Sequence, residues 1–261
     1  MSSRLALITG ASAGIGAAFA RVYASHGWDV ALTARRTDRL ETLADELRLR
    51  HGVSVLIIAA DLADPATPAA LLQRVDAEGR AVDALVNNAG YGISGAWRET
   101  AWKDQRAFIQ VMITAPVELS HKVLPGMLEK RFGRIVNVAS VAALLPGTAR
   151  TGLYGAAKAL LVKFSQGLHL ETAAAGVHVS ALCPGFTYTE FHQVNHVGVE
   201  HVPKWLWQGP DEVAAAGYEA GEANRPVCVP GAQNKAIAAL MRIIPDDWAM
   251  ALVARGRSGQ I

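Results

Sequence analysis

"TGASAGIGAAFARVYA", residues Thr9 to Ala24, decides how the rest of the chain is read. An aliphatic run precedes it and alanines with aliphatics follow it, so Gly10, Gly14 and Gly16 fall in a turn between a strand and a helix. Glycine lets the backbone turn sharply and come close to a phosphate. The free N–H groups and positive dipole of the helix N-terminus then face the anion. The spacing is G-x-x-x-G-x-G, not the commoner G-x-G-x-x-G. A glycine triplet alone also serves an ordinary tight turn. Between a strand and a helix it points to a bound nucleotide.

Working outward, short apolar runs alternate with helical patterns. Strands are expected over residues 5–9, 30–34, 53–59, 84–87, 134–139, 177–182 and 227–229. They are apolar throughout, as strands covered on both faces are. Helices are expected over 16–26, 38–50, 66–77, 102–131, 154–175, 211–223 and 233–255. This order predicts an α/β fold: a Rossmann-type doubly wound parallel sheet of about seven strands, helices on both faces, in a single domain. Residues 1–185 are expected to carry the cofactor-binding and catalytic core, 186–210 a substrate lid, and 211–261 the C-terminal helices and last strand. Between Phe186 and Pro210 no strand is expected. A connection of that length is usually a lid or binding loop.

The chain has 261 residues, 51% hydrophobic and 18% charged, which suits one large globular α/β domain. A net charge of +2 without long runs of like charge gives no case for nucleic acid. Cys183 and Cys228 lie in apolar runs without metal-ligand spacing, which favours a reduced, intracellular setting. No signal-peptide core and no apolar run near the ~18 residues of a membrane helix is seen, so a cytoplasmic location is expected.

The second strand bears on which nucleotide is held. NAD enzymes tend to place a carboxylate about 20 residues beyond the glycine loop, on the ribose 2′-hydroxyl. This chain reads "ALTARRTDRL" there, with Ala34, Arg35 and Arg36 and no acid. Two guanidiniums suit the 2′-phosphate of NADP by charge and bidentate geometry. The plainer alternative is a pair of solvated arginines.

From Leu5 to Phe191 the chain resembles the short-chain dehydrogenase/reductase superfamily. Thr9, Gly10, Gly14 and Gly16 match its glycine loop, and Asp61–Leu62 its adenine-contacting position. Asn87, Asn88, Ala89 and Gly90 match its N-N-A-G, and Ser140 its catalytic serine. Tyr154 and Lys158 match Y-x-x-x-K, and Pro184, Gly185 and Thr189 match P-G-x-x-x-T. The resemblance implies hydride transfer between NADP(H) and a carbonyl/alcohol pair, in a homodimer or homotetramer. Ser12, Ile15 and Thr187, on these loops, complete the expected cofactor site.

The implied roles make chemical sense. A phenol with an ordinary pKa near ~10 is a poor acid–base group at neutral pH. An ammonium one helical turn away is expected to lower it towards the useful range. Ser140 would donate to the substrate oxygen, which is worth about 3 kcal/mol in such sites. Lys158 would also hold the nicotinamide ribose, Thr189 the carboxamide, and Asn87 the cofactor floor. Met112, in "FIQVMITAPVEL", departs from the family. An asparagine usually stands there and holds a water on the proton relay, whereas methionine offers only a weak sulfur acceptor. Gln110 or Thr114 would serve if the register differs.

The expected substrate walls are Tyr91, Met112, Val141, Phe186, Phe191, His192, Trp205 and Trp207, an apolar set that suits a lipophilic ketone, aldehyde or imine. His192, His196 and His201, with Glu190 and Glu200 nearby, raise the thought of a metal, but no metal is expected. An imine reductase and a low-turnover NADP-binding sensor or scaffold are the alternatives, the second resting on Met112.

Overall fold

The structure, a computed structural model, describes residues 3–191, 195 and 202–255. Strands β1 (Leu5–Thr9), β2 (Asp29–Ala34) and β3 (Val55–Ala59) alternate with helices α1 (Gly14–Ser25), α2 (Thr37–His51) and α3 (Thr67–Ala77). The second half follows with β4 (Ala84–Asn87), α4 (Trp102–Ile109), α5 (Ala115–Glu129), β5 (Gly133–Val138), α6 (Tyr154–Thr172) and β6 (Val177–Leu182). Then come two short strands, β7 (Phe186–Thr187) and β8 (Trp207–Gln208). The last elements are α7 (Pro210–Glu222), β9 (Val227–Cys228), α8 (Ala232–Ile243) and α9 (Asp246–Arg255).

Seven strands form one parallel sheet in the order β3-β2-β1-β4-β5-β6-β9. Successive side chains on a strand point to opposite faces. Ala6 and Ile8 of β1 join Val30 and Leu32 of β2 against α1, α2 and α7. Leu5 and Leu7 join Ala31 against α3, α5 and α6. Both faces are dry, which is why the strands read as unbroken apolar runs. The strand order reverses between β1 and β4, and a crevice opens at the carboxyl ends of these strands, where open α/β sheets bind ligands.

Three expectations about elements need correction. The long helix expected over 102–131 contains a π-helical turn, Gln110–Thr114, with an Ala115 N–H to Gln110 carbonyl bond. Pro116 explains it: proline has no N–H for the Met112 carbonyl, so the ladder shifts register. The helix expected over 233–255 is two helices, because Pro245 forces Ile244 into an extended conformation, φ −79° and ψ 133°. The segment expected to lack strands carries β7 and β8, which pair in parallel, Phe186 opposite Trp207.

Candidate active site

The glycine loop is tied to the end of β4. The Thr9 hydroxyl accepts from the backbone N–H groups of Asn88 (2.9 Å) and Ala89 (3.0 Å). The Asn88 side chain donates back to the Thr9 carbonyl at 2.9 Å. Gly10 and Gly14 have φ of +67° and +55°, a region that favours glycine. A Cβ on Gly16 would stand 2.3 Å from the Gly10 carbonyl oxygen. These glycines leave a cradle that side chains would fill. Above it, α1 begins with no side-chain cap and no acid in its first turn, so its N–H groups and dipole are free for an anion. Ser12 and Ile15 sit in the same turn, half-buried.

Arg36 leaves the end of β2 and returns to this loop, donating from Nη2 to the Ser12 hydroxyl at 3.1 Å. Its Nη1 donates to Glu190 at 2.8 Å, and Arg39 pairs with the same carboxylate. Arg35 is exposed, and Asp61 is exposed at the end of β3 with Leu62 buried beside it. The residues expected to hold a nucleotide therefore surround one crevice. Thr189 packs on the loop directly: its Cγ2 lies 2.8 Å from where a Gly14 Cβ would be. Pro184 accepts from the Val141 N–H at 2.9 Å, and Gly185 is pressed against the Asn234 side chain. Thr187 is buried, its hydroxyl donating to the Gly185 carbonyl at 3.1 Å.

Ser140 follows β5 and caps a short 3₁₀ turn, its hydroxyl accepting from Ala142 N–H at 3.1 Å. Tyr154 opens α6, with Ser140 near enough to its phenol to pull the phenol's pKa down by hydrogen bonding. One turn on, Lys158 is 5% exposed and donates to the Val138 carbonyl at 2.7 Å. Its Nζ lies 5.8 Å from the centroid of the Tyr154 ring. Burial pushes the lysine down to about 8. Burial also pushes the Tyr154 phenol up, against the Ser140 hydrogen bond. The expectation that Lys158 lowers the phenol is not met in this structure. Dehydration of the ring dominates, and the ammonium is turned to a backbone carbonyl.

Asn87 is buried under this group, donating to Pro116 O, Ser120 Oγ and Asn137 Oδ1. Its own Oδ1 has no protein partner, and Asn87 lines a small cavity together with Thr9, Met112 and Lys158. Met112 is 1% exposed and packs with Phe108 and Ala157, on the π turn that also carries Gln110 and Thr114.

Of the expected walls, Tyr91 stands edge-on to Phe108 at 5.5 Å and Phe191 stands 5.8 Å from the Tyr154 ring. Val141 is buried beside Ser140. Phe186 packs on Trp207 at 5.6 Å, both half-buried, and Trp205 is 65% exposed. His192, His196, His201 and Glu200 lie outside the described residues. Among the described residues no cluster of three or more metal-ligating side chains occurs, and no helix is long and apolar enough to cross a membrane.

The pattern of the sequence missed Asn195. Its Oδ1 accepts from Gly92 N–H at 2.7 Å, its carbonyl accepts from the Ser94 hydroxyl at 2.8 Å, and its amide donates to Phe191 O. It fastens the segment after β7 to the loop after N-N-A-G. Nothing local in "HQVNHVGV" marks it, since the partners lie about a hundred residues upstream.

Residues 4–197 match the family described as short chain dehydrogenase. Serine 3-dehydrogenase of Agrobacterium fabrum is 37% identical over 211 residues, covering 80% of this chain and 82% of that protein. A short-chain dehydrogenase from Sphingobium yanoikuyae, solved in complex with NADPH, superposes with a TM-score of 0.81 at 34% identity, covering 93% of this chain and 96% of that one. The bulky-bulky ketone specific alcohol dehydrogenase from Comamonas testosteroni superposes with a TM-score of 0.77 at 30% identity, covering 94% and 96%.

Proposed function

This chain belongs to the short-chain dehydrogenase family and is an oxidoreductase of that family, and from that premise we propose that it reduces a lipophilic ketone or aldehyde with NADPH, or oxidises the matching secondary alcohol. The observation that carries this reading is the grouping of Ser140, Tyr154 and Lys158: Ser140 acts on the Tyr154 phenol, and the buried Lys158 stands one helical turn on, 5.8 Å from the phenol ring centroid.

The glycine cradle, the uncapped start of α1 and the arginine after β2 fit a dinucleotide with a 2′-phosphate. The related Sphingobium enzyme is solved with NADPH, which supports the same cofactor here. Arg35 and Arg36 would take the 2′-phosphate, with Asp61 and Leu62 at the adenine. Asn88, Ala89 and Gly90 would floor the site, and Pro184, Gly185, Thr187 and Thr189 would close over the nicotinamide end. NADPH bound there supplies the hydride.

The chain's own residues do the rest. The Ser140 hydroxyl holds the substrate oxygen beside the Tyr154 hydroxyl. Tyr154 gives its proton to that oxygen as charge develops on it. Its raised pKa keeps it protonated, which suits the acid in the reducing direction. The Lys158 ammonium, 5.8 Å from the centroid of the phenol ring, is the cation placed to stabilise the phenolate as it develops. Tyr91, Val141 and Phe191 offer apolar walls, in keeping with the bulky-ketone enzyme among the relatives.

The test is NADPH and NADH oxidation over a panel of ketones and imines, with Tyr154→Phe as control. Loss of NADPH-dependent turnover in that variant supports the reading, and wild-type rates in it overturn the mechanism. The buried Met112 favours a second reading, a low-turnover NADP-binding protein. Cofactor binding without turnover across the panel would establish that one instead.

A further inference from the structure

Glu190 stands at an unexpected place for an acid. It follows Thr189, shortly after β7, yet its carboxylate reaches the arginines that follow β2. One oxygen accepts from Arg36 Nη1 at 2.8 Å, and the other pairs with Arg39 of α2. These partners are 154 and 151 residues away in sequence. Arg36 is anchored on its other edge, where Nε and Nη2 donate to the Ser12 hydroxyl at 3.3 and 3.1 Å. With that edge turned to Ser12, Glu190 holds the Nη1 corner of Arg36.

The second strand lacks the acid that would select NAD, and the tertiary fold brings an acid to the same arginine from elsewhere. A carboxylate bridging two guanidiniums has the charge and spacing of a small phosphate mimic. A cofactor 2′-phosphate that engages Arg36 through Nη1 meets this carboxylate there and stands close to its negative charge. All three side chains are partly exposed, so the ion pairs are weak and the phosphate wins. The contact therefore tunes affinity and does not block the site.

We propose that Glu190 is a built-in competitor for the cofactor's 2′-phosphate at Arg36 and Arg39, and that it narrows the preference for NADP(H) over NAD(H). This rests on the NADP(H) reading above. Glu190→Asp and Glu190→Gln separate charge from contact: the aspartate keeps the charge and the glutamine keeps the shape.

The experiment is calorimetric titration of the full chain, wild type and both variants, with NADP⁺, NAD⁺, adenosine 2′,5′-bisphosphate and 5′-AMP. Glu190→Gln is expected to tighten NADP⁺ and the bisphosphate by on the order of tenfold and to leave NAD⁺ and 5′-AMP within about twofold. Glu190→Asp is expected to stay near wild type. If the wild type prefers the bisphosphate to 5′-AMP but Glu190→Gln binds it no more tightly, Glu190 is not a competitor and the proposal falls alone. If neither protein distinguishes the two nucleotides, the NADP(H) reading falls and takes the proposal with it.

Discussion

The Lys158 ammonium lies over the Tyr154 ring, 5.8 Å from its centroid, and spends a 2.7 Å hydrogen bond on the Val138 carbonyl. The two side chains share a helix face, as their spacing dictates, but burial acts on both in the direction of neutrality. The pair is therefore held at a cost that only function repays.

That cost is measurable. The lysine falls from its ordinary 10.5 to about 8, which corresponds to roughly 3 kcal/mol against folding at neutral pH. The unfolded chain binds more protons between those values, so stability from this group rises with pH across that window. Lys158→Met removes the penalty and leaves Val138 O unpaired, a constant offset. The stability of the variant relative to wild type is expected to shrink by about 2 kcal/mol between pH 7 and pH 9.5. Denaturant unfolding at the two pH values checks this, and a pH-independent difference would refute the buried, shifted lysine.

Gly16→Ala forces a methyl to within 2.3 Å of the Gly10 oxygen and 2.5 Å of the Asn88 amide. The loop must open, so stability is expected to fall by about 1–3 kcal/mol and cofactor affinity by at least about tenfold. Gly167→Ala, on α6 with nothing within 4 Å, is the control and is expected to gain about 0.5–1 kcal/mol. Thermal melts and calorimetry compare the two.

Asn195→Ala leaves the Gly92 N–H without its acceptor and frees the segment carrying Phe191. A loss of about 1–3 kcal/mol is expected. Steady-state kinetics should show KM rising more than kcat falls, because the chemistry at Ser140 and Tyr154 is untouched. An unchanged KM would remove Asn195 from the substrate side.

Met112→Asn puts a shorter polar side chain into a site that is 1% exposed. Stability is expected to fall by about 1–3 kcal/mol, while kcat rises by about tenfold, or ~1.4 kcal/mol. An unchanged kcat, measured at saturating substrate, means that the relay does not limit turnover at this position.

Much of this protein is legible in order of residues. The parallel sheet follows from apolar runs of strand length between helical repeats, and β1, β4 and β6 begin and end where those runs do. The glycine loop and the Tyr154–Lys158 spacing are local patterns, fixed by backbone geometry within one turn. The break at Pro245 and the π turn before Pro116 are local too, but they were hidden because an apolar helical period runs through both.

What the fold alone decided lies between distant segments. Glu190 meets Arg36 and Arg39, and Asn195 meets Gly92, only because β6 and β7 deliver them to the carboxyl ends of β2 and β4. The direction in which Tyr154 shifts was also beyond the sequence. Spacing places a lysine near a phenol, but burial decides how much water each retains. Local chemistry sets which groups are available, and tertiary packing sets which of them meet and how strongly they are charged.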